Sequence, residues 1–415
     1  MKYVFLLFSF LLNFCVGNDL SGDDISGDDL SAILTNLTSG YDKRIRPNYG
    51  GIPVTVEVSL FILSIIELSE KNMDFTFNMY FRQRWNDPRL AFQQKSSLKG
   101  ILVDAEFIKS IWVPDTFFVN EKESHIHQGV TRLMYDGYIL RSVRMTVKAS
   151  CSYDLQHFPM DSQLCTLEIE SYGHTNDDLR YEWMNGENSV RLSPGVALPE
   201  FSVLGHRNRL FEVNLPSGTY PRLLCDVMFE RNIGLYVIQA YLPMALMVMV
   251  SWLALWLKEV STRVGLCMIS ILTIMNIMIS LHSSMPRISY FTAFHIYFYV
   301  SFLSICATLI ESVCVSFITT QKQEMETKDQ DQDHHPSVRC TGEAIQLIPL
   351  KEKAEKGKKV LCGLNPGYLD LMSRVGFPIL FLVFNIFYTS IYCVIANHNI
   401  TKVDDLVYLE DSILS

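Results

Sequence analysis

Charge is scarce in this chain. Only 19% of its 415 residues are Asp, Glu, Lys or Arg, against about a quarter in soluble proteins. With 49% hydrophobic residues, the shortfall points to lipid-facing segments rather than one large soluble core. Basic excess is lacking too: 35 Lys and Arg stand against 44 Asp and Glu, a net charge of −9. That excludes a strongly basic nucleic-acid binder. The ten cysteines contain no paired CxxC…CxxC pattern, so no structural zinc site is expected. HExxH, GxSxG and GxxxxGK are absent, which argues against an enzyme and implies no cofactor. Disorder is excluded by the 12% aromatic content. The length calls for at least two domains.

What is present begins with Met1-Lys2-Tyr3 and an apolar run, Val4 to Val16. A positive charge, a short apolar stretch and a small residue read as a secretory signal over 1–17, cut near Gly17. A long, mostly polar stretch over 18–231 follows. Then come uncharged runs at Ile233 to Leu257, Val264 to Met285, Ile288 to Ile310 and Val375 to Ala396. Each is long enough to cross a roughly 30 Å hydrocarbon core as a helix. Three crossings thus fall within 232–320 and the fourth at 375–396. Four crossings put 18–231 and the tail 397–415 outside, and the linker 321–374 in the cytoplasm. Lys351, Lys353, Lys356, Lys358 and Lys359 in that linker fit the positive-inside bias. Gln321 to Pro336 is polar, without apolar periodicity, and reads as disordered.

The extracellular half alternates with period two. Val54 to Leu60 does so, and Phe75, Phe77, Met79 and Phe81 alternate with Asp74, Thr76, Asn78, Tyr80 and Arg82. Val143, Met145 and Val147 alternate with Arg144, Thr146 and Lys148. Turn signals at Asn72, Asp136-Gly137 and Ser217-Gly218 separate such stretches, so an antiparallel β-sandwich is expected. The repeated SGDD at 21–24 and 26–29 reads as a solvated arm. Asn36-Leu37-Thr38 is a glycan acceptor sequence. Only Cys151, Cys165 and Cys225 would face the oxidising side. Cys151 and Cys165 enclose 13 residues, and closing such a loop is worth about 3 kcal/mol. Cys225 is left over as a buried thiol.

The loop carrying Phe158-Pro159-x-Asp161, placed before four membrane runs, resembles that of Cys-loop receptor subunits of the pentameric ligand-gated channels. Trp112 to Thr116, Ile169 to Gly173, Tyr80 to Gln83, Arg263 to Leu266 and Asp42 to Gly51 also match. Together they look most like GABA type A receptors, nearest the beta and insect dieldrin-resistance-type subunits. The resemblance implies a four-helix transmembrane domain under the sandwich and assembly as a homo- or hetero-pentamer. It implies a neurotransmitter ligand, GABA by preference, chloride as the permeant ion, and a postsynaptic plasma membrane. Glycine- or amine-gated subunits, and a modulatory subunit of altered ion selectivity, are the alternatives.

The family implies that the ligand sits between subunits. Its principal side corresponds here to Phe117, Glu170, Tyr172, Leu215, Ser217 and Tyr220, its complementary side to Tyr80, Arg82 and Thr146. Aromatic faces and a carboxylate suit an ammonium; a guanidinium and hydroxyls suit a carboxylate. Leu215 stands where relatives carry an aromatic, and the stretch His127 to Asp136 is about five residues shorter than in beta subunits. Gly265, Ile269, Leu272, Asn276, Ile279 and Ser283 recur at spacings of four and three, so they share a helix face. By resemblance that face lines the pore, with Leu272 as the hydrophobic gate and five copies of Arg263 as a basic ring. No proline precedes Arg263, and Glu259 is the nearest carboxylate. Picrotoxin-type blockers in related channels meet a threonine where this chain has Ile269. Arg231 corresponds to the pre-membrane arginine that pairs with Asp161, and Phe158-Pro159 is expected to press on the segment Pro286 to Tyr290.

Overall fold

The computed structural model describes residues 27–93, 100–196, 198–333, 366–401 and 407–408. The expected signal segment, most of the acidic arm and the lysine cluster at 351–359 lie outside the described residues. The first helix among the described residues, α1, spans Gly27–Thr38. Leu30, Ile33, Leu34 and Leu37 pack it onto the core, and Asn36 stays exposed. The strands that follow are β1 (Val54–Ser69), β2 (Asp74–Asn86) and β3 (Gly100–Val103). A short α2 (Ala105–Ser110) leads to β4 (Thr116–Phe118), β5 (Glu121–Met134), β6 (Tyr138–Ser150) and β7 (Ser162–Ser171). Then come β8 (Leu179–Trp183), β9 (Val190–Leu192), β10 (Phe201–Leu215) and β11 (Gly218–Arg231).

They form two sheets over one apolar core. One runs β3-β5-β6-β2-β1-β8, with β9 added on β1. The other contains β10-β11-β7-β4. Pairing is antiparallel except where β8 and β9 join β1 in parallel. Parity fixes which residues go inside. Phe75, Phe77, Met79 and Phe81 of β2 meet Cys165, Leu167 and Ile169 of β7 and Leu223, Cys225, Val227 and Phe229 of β11 in the core. Burying each such side chain is worth about 1.5–3 kcal/mol. A one-residue slip would exchange the aromatic row for Thr76, Asn78 and Tyr80. The same parity holds Tyr80 and Arg82 on the outer face.

Four helices are long and apolar enough to cross a membrane. α3 covers Gly234–Ala254 and α4 covers Val260–Ser284. α5 (Ala293–Asp333) and α6 (Pro366–Thr401) extend past their apolar portions. α5 starts at Ala293 rather than at Ile288, because Thr292 serves as its cap: its hydroxyl accepts the His295 N–H at 3.3 Å. α5 also continues helically through the polar residues up to Asp333, where disorder is expected from the sequence. Gln, Lys, Glu and Met are good helix formers, and extending a formed helix needs no new nucleus. Past α6, β12 (Val407–Tyr408) pairs with Gly205 and His206 of β10. Val407 and Tyr408 therefore lie on the sandwich side of the membrane domain.

Candidate functional site

On the five-stranded sheet, β4 sets Phe117 directly opposite Glu170 of β7. Tyr172 follows β7 and is 81% exposed; its ring meets that of Phe117 edge-to-face at 5.6 Å. Asp115 shapes this corner, accepting the Ser171 hydroxyl at 2.5 Å and the Gly173 N–H at 2.7 Å. The β10–β11 hairpin brings Leu215, Ser217 and Tyr220 to the same end of the sheet. The Tyr220 hydroxyl donates to Ser217 Oγ at 3.1 Å. Gly218 turns the hairpin at φ +143°, and a Cβ there would lie 2.7 Å from Thr175 Cγ2. Only glycine fits both demands.

Glu170 is not a free acid. It is buried, and Arg222 donates to its Oε2 at 2.6 Å and to Glu168 Oε2 at 2.5 Å. Two carboxylates share one guanidinium, so one net negative charge remains beneath the aromatic rings. Arg222 lies on β11, more than fifty residues from both acids, and sequence patterning gave no sign of this contact.

The residues expected on the complementary side sit on the other sheet. Register places Arg82 opposite Ser142, Tyr80 opposite Arg144 and Asn78 opposite Thr146. Thr146 therefore shares the face but lies two rungs from Arg82, and its Oγ is bonded to His127 Nε2 at 2.9 Å. Ser142, rather than Thr146, is the hydroxyl beside Arg82. Arg144 is the second guanidinium of this face. The carbon of the Arg82 guanidinium lies 5.9 Å from the Tyr80 ring centre. Neither Arg82 nor Arg144 has a carboxylate partner among the described residues. The two groups of residues thus lie on different sheets of one chain.

At the membrane end, Cys151 and Cys165 form a disulfide, and Cys225 is a free, buried thiol whose pKa is raised by burial and by Asp226. The bridged loop carries Phe158 under the core. The Arg231 guanidinium grips Asp161 at 2.7 and 3.1 Å and also reaches Glu70. It stacks over Phe158 at 4.8 Å and Phe201 at 4.5 Å. Burial works against its charge, but Asp161 and Glu70 hold its pKa above the ordinary arginine value. The Tyr290 hydroxyl accepts the Leu155 N–H at 3.1 Å. Ala293 and Phe294 donate to the carbonyls of Gln156 and Phe158 at 2.9 and 3.1 Å. The loop thus seats on Tyr290 and the first turn of α5, rather than on Pro286 itself.

In α4, Gly265, Ile269, Leu272, Asn276, Ile279 and Ser283 are all exposed on one face. Cys267, Ser270 and Ile274 are buried on the other. Arg263 belongs to the buried set, which corrects the expectation of a basic ring. Its Nε donates to the Leu257 carbonyl at 2.6 Å and its Nη1 lies 3.3 Å from Asp370 of α6. Four-residue spacing from Cys267 carries it onto the inner stripe, where a carbonyl and a carboxylate satisfy the charge.

Residues 30–234 match the neurotransmitter-gated ion-channel ligand binding domain, and residues 240–347 match the neurotransmitter-gated ion-channel transmembrane region. The gamma-aminobutyric acid receptor subunit rho-2 of Mus musculus is 33% identical, over 85% of this chain and 86% of the relative. The rho-2 subunits of Rattus norvegicus and Bos taurus match to the same extent. A β-sandwich ligand-binding domain over four membrane-crossing helices, matched along both parts, makes this multi-pass membrane chain a ligand-gated ion-channel subunit of the neurotransmitter-gated ion-channel family.

Proposed function

We propose that five copies of this chain, or copies mixed with related subunits, form a GABA-gated chloride channel in a postsynaptic plasma membrane. The observation that carries the ligand assignment is the pair Arg82 and Arg144. Both stand without a carboxylate partner on one outer sheet face, flanking Tyr80. Two uncompensated guanidiniums beside a hydroxyl suit a carboxylate. The other half offers Phe117, Tyr172 and Tyr220 above a net negative charge, which suits an ammonium. A small zwitterion bridging two neighbouring chains would use both. The rho-2 relatives are named as GABA receptor subunits, which supports the same ligand.

The chloride assignment rests on likeness to GABA receptors. A second reading, cation passage or mixed selectivity, is favoured by one observation: Arg263 is turned into the helix bundle, whereas Lys258 and Glu259 are exposed at the start of α4. Expression in oocytes under GABA, glycine and amine transmitters tests the ligand. Reversal potentials after chloride replacement test the ion. GABA-evoked currents that follow the chloride gradient are expected; currents evoked only by glycine or an amine overturn the ligand assignment.

A further inference from the structure

The cytoplasmic ends of the four helices hold a cluster of charges. Arg263 of α4 meets Asp370 of α6 at 3.3 Å. Asp370 also accepts Arg374 at 2.6 Å, one turn further along α6. Arg374 Nε donates to the Leu255 carbonyl at 3.1 Å, and its guanidinium lies 5.0 Å from the Trp256 ring centre. The Trp252 ring N–H donates to the Arg374 carbonyl at 2.8 Å. The buried Glu311 carboxyl of α5 lies within electrostatic reach of Asp370, Arg263 and Arg374. α6 is thereby fastened to the α3–α4 connection, and the Arg263 side chain is 6% exposed. Charged groups at membrane depth persist where they are paired inside the bundle.

The geometry points to Asp370 as a positioning residue of the permeation path. With the Leu257 carbonyl, it holds the Arg263 guanidinium out of the cytoplasmic entrance. Entrance charge then comes from Lys258 and Glu259, one of each sign, and α6 controls ion preference without touching the ion. This rests on the reading that α4 lines the pore. An Arg at the foot of a pore helix raises anion preference only if it can face the ion; one whose donors are used by a carbonyl and a carboxylate does not.

The test has an electrical arm and a chemical arm. Chloride-to-sodium permeability ratios come from reversal potentials of agonist-evoked current. Arg263→Gln alone is expected to leave the ratio within twofold of wild type. Asp370→Asn releases the guanidinium and is expected to raise the ratio at least threefold, Asp370→Glu to keep the wild-type value. In the Arg263→Gln background, Asp370→Asn is expected to do nothing to the ratio. A shift produced by Arg263→Gln alone, or an unchanged ratio in surface-expressed Asp370→Asn, overturns the proposal. The chemical arm needs no current. In inside-out membrane patches or vesicles, Arg263→Cys is expected to react with a charged methanethiosulfonate at under a tenth of the rate of Glu259→Cys. Equal rates overturn the proposal even if no transmitter opens the channel, whereas a silent channel with a slow Arg263→Cys counts against the transmitter reading alone.

Discussion

Arg82 makes a prediction that concerns a single side chain. It is exposed, lacks a carboxylate partner among the described residues and stands one rung from Tyr80. A charge-assisted bond to a ligand carboxylate is worth about 1.5–3 kcal/mol. Arg82→Ala is therefore expected to raise the half-activating GABA concentration about tenfold or more, with maximal current retained. Dose–response curves from homomeric channels check it; an unchanged midpoint removes Arg82 from the site. Ile269 makes the second. It is 61% exposed on the face shared with Leu272. Isoleucine cannot bond a blocker's oxygens, and five β-branched side chains narrow the path. Wild-type channels are expected to resist picrotoxin-type block and Ile269→Thr to restore it. Equal sensitivity would place Ile269 off the permeation path. Arg263 is the contrasting case: it looks like a pore residue in the sequence and is held among helices in the fold.

At the scale of elements, the bridged loop between β6 and β7 joins the two domains. Its disulfide closes a 14-residue separation, and its carbonyls at Gln156 and Phe158 take N–H groups from the start of α5. Without the bridge the loop would have to be ordered against its own entropy, about 3 kcal/mol in the chain-entropy account. Cys151→Ser with Cys165→Ser is expected to abolish most surface protein, measured by surface biotinylation. Normal surface levels would make the bridge dispensable for assembly. The Arg231–Asp161 contact belongs to the same junction. Both side chains are buried, and removing one partner of such a pair costs about 3–5 kcal/mol. Asp161→Asn is expected to lower surface expression and, in channels that arrive, the maximal response to agonist. Arg231→Lys should not rescue the junction, because an ammonium cannot make the paired contact to both Asp161 oxygens. Wild-type expression and efficacy in Arg231→Lys would show that charge alone suffices.

For the whole molecule, the Phe117–Tyr172 corner and the Arg82–Arg144 face lie on different sheets, so the proposed ligand site would be completed only by a neighbouring chain. A chain damaged on its principal face still carries an intact complementary face, and the reverse holds. Tyr172→Ala and Arg82→Ala are each expected to weaken activation when expressed alone. Expressed together, they are expected to restore a component of near-wild-type sensitivity, because some interfaces then join two intact halves. The restored fraction should follow the mixing ratio of the two transcripts. If the mixture responds like the weaker parent at every ratio, the site is not shared between neighbouring chains.

Much of this architecture is legible in local pattern. Period-two alternation marks β1, β2 and β6, because a sheet with one buried face sorts its residues by parity. Uncharged runs mark the four crossings, because lipid admits few charges. Helical spacing finds the exposed face of α4, since residues three and four apart must share a side. Non-local contacts decided the rest. Which β6 hydroxyl stands beside Arg82 depends on a register between strands some sixty residues apart, and it is Ser142. Whether Glu170 is free depends on β11, which delivers Arg222 to it. Whether Arg263 faces ions or protein depends on Asp370, 107 residues later. Side-chain period follows from local geometry, whereas partners, register and the occupancy of a charge follow from how distant segments pack.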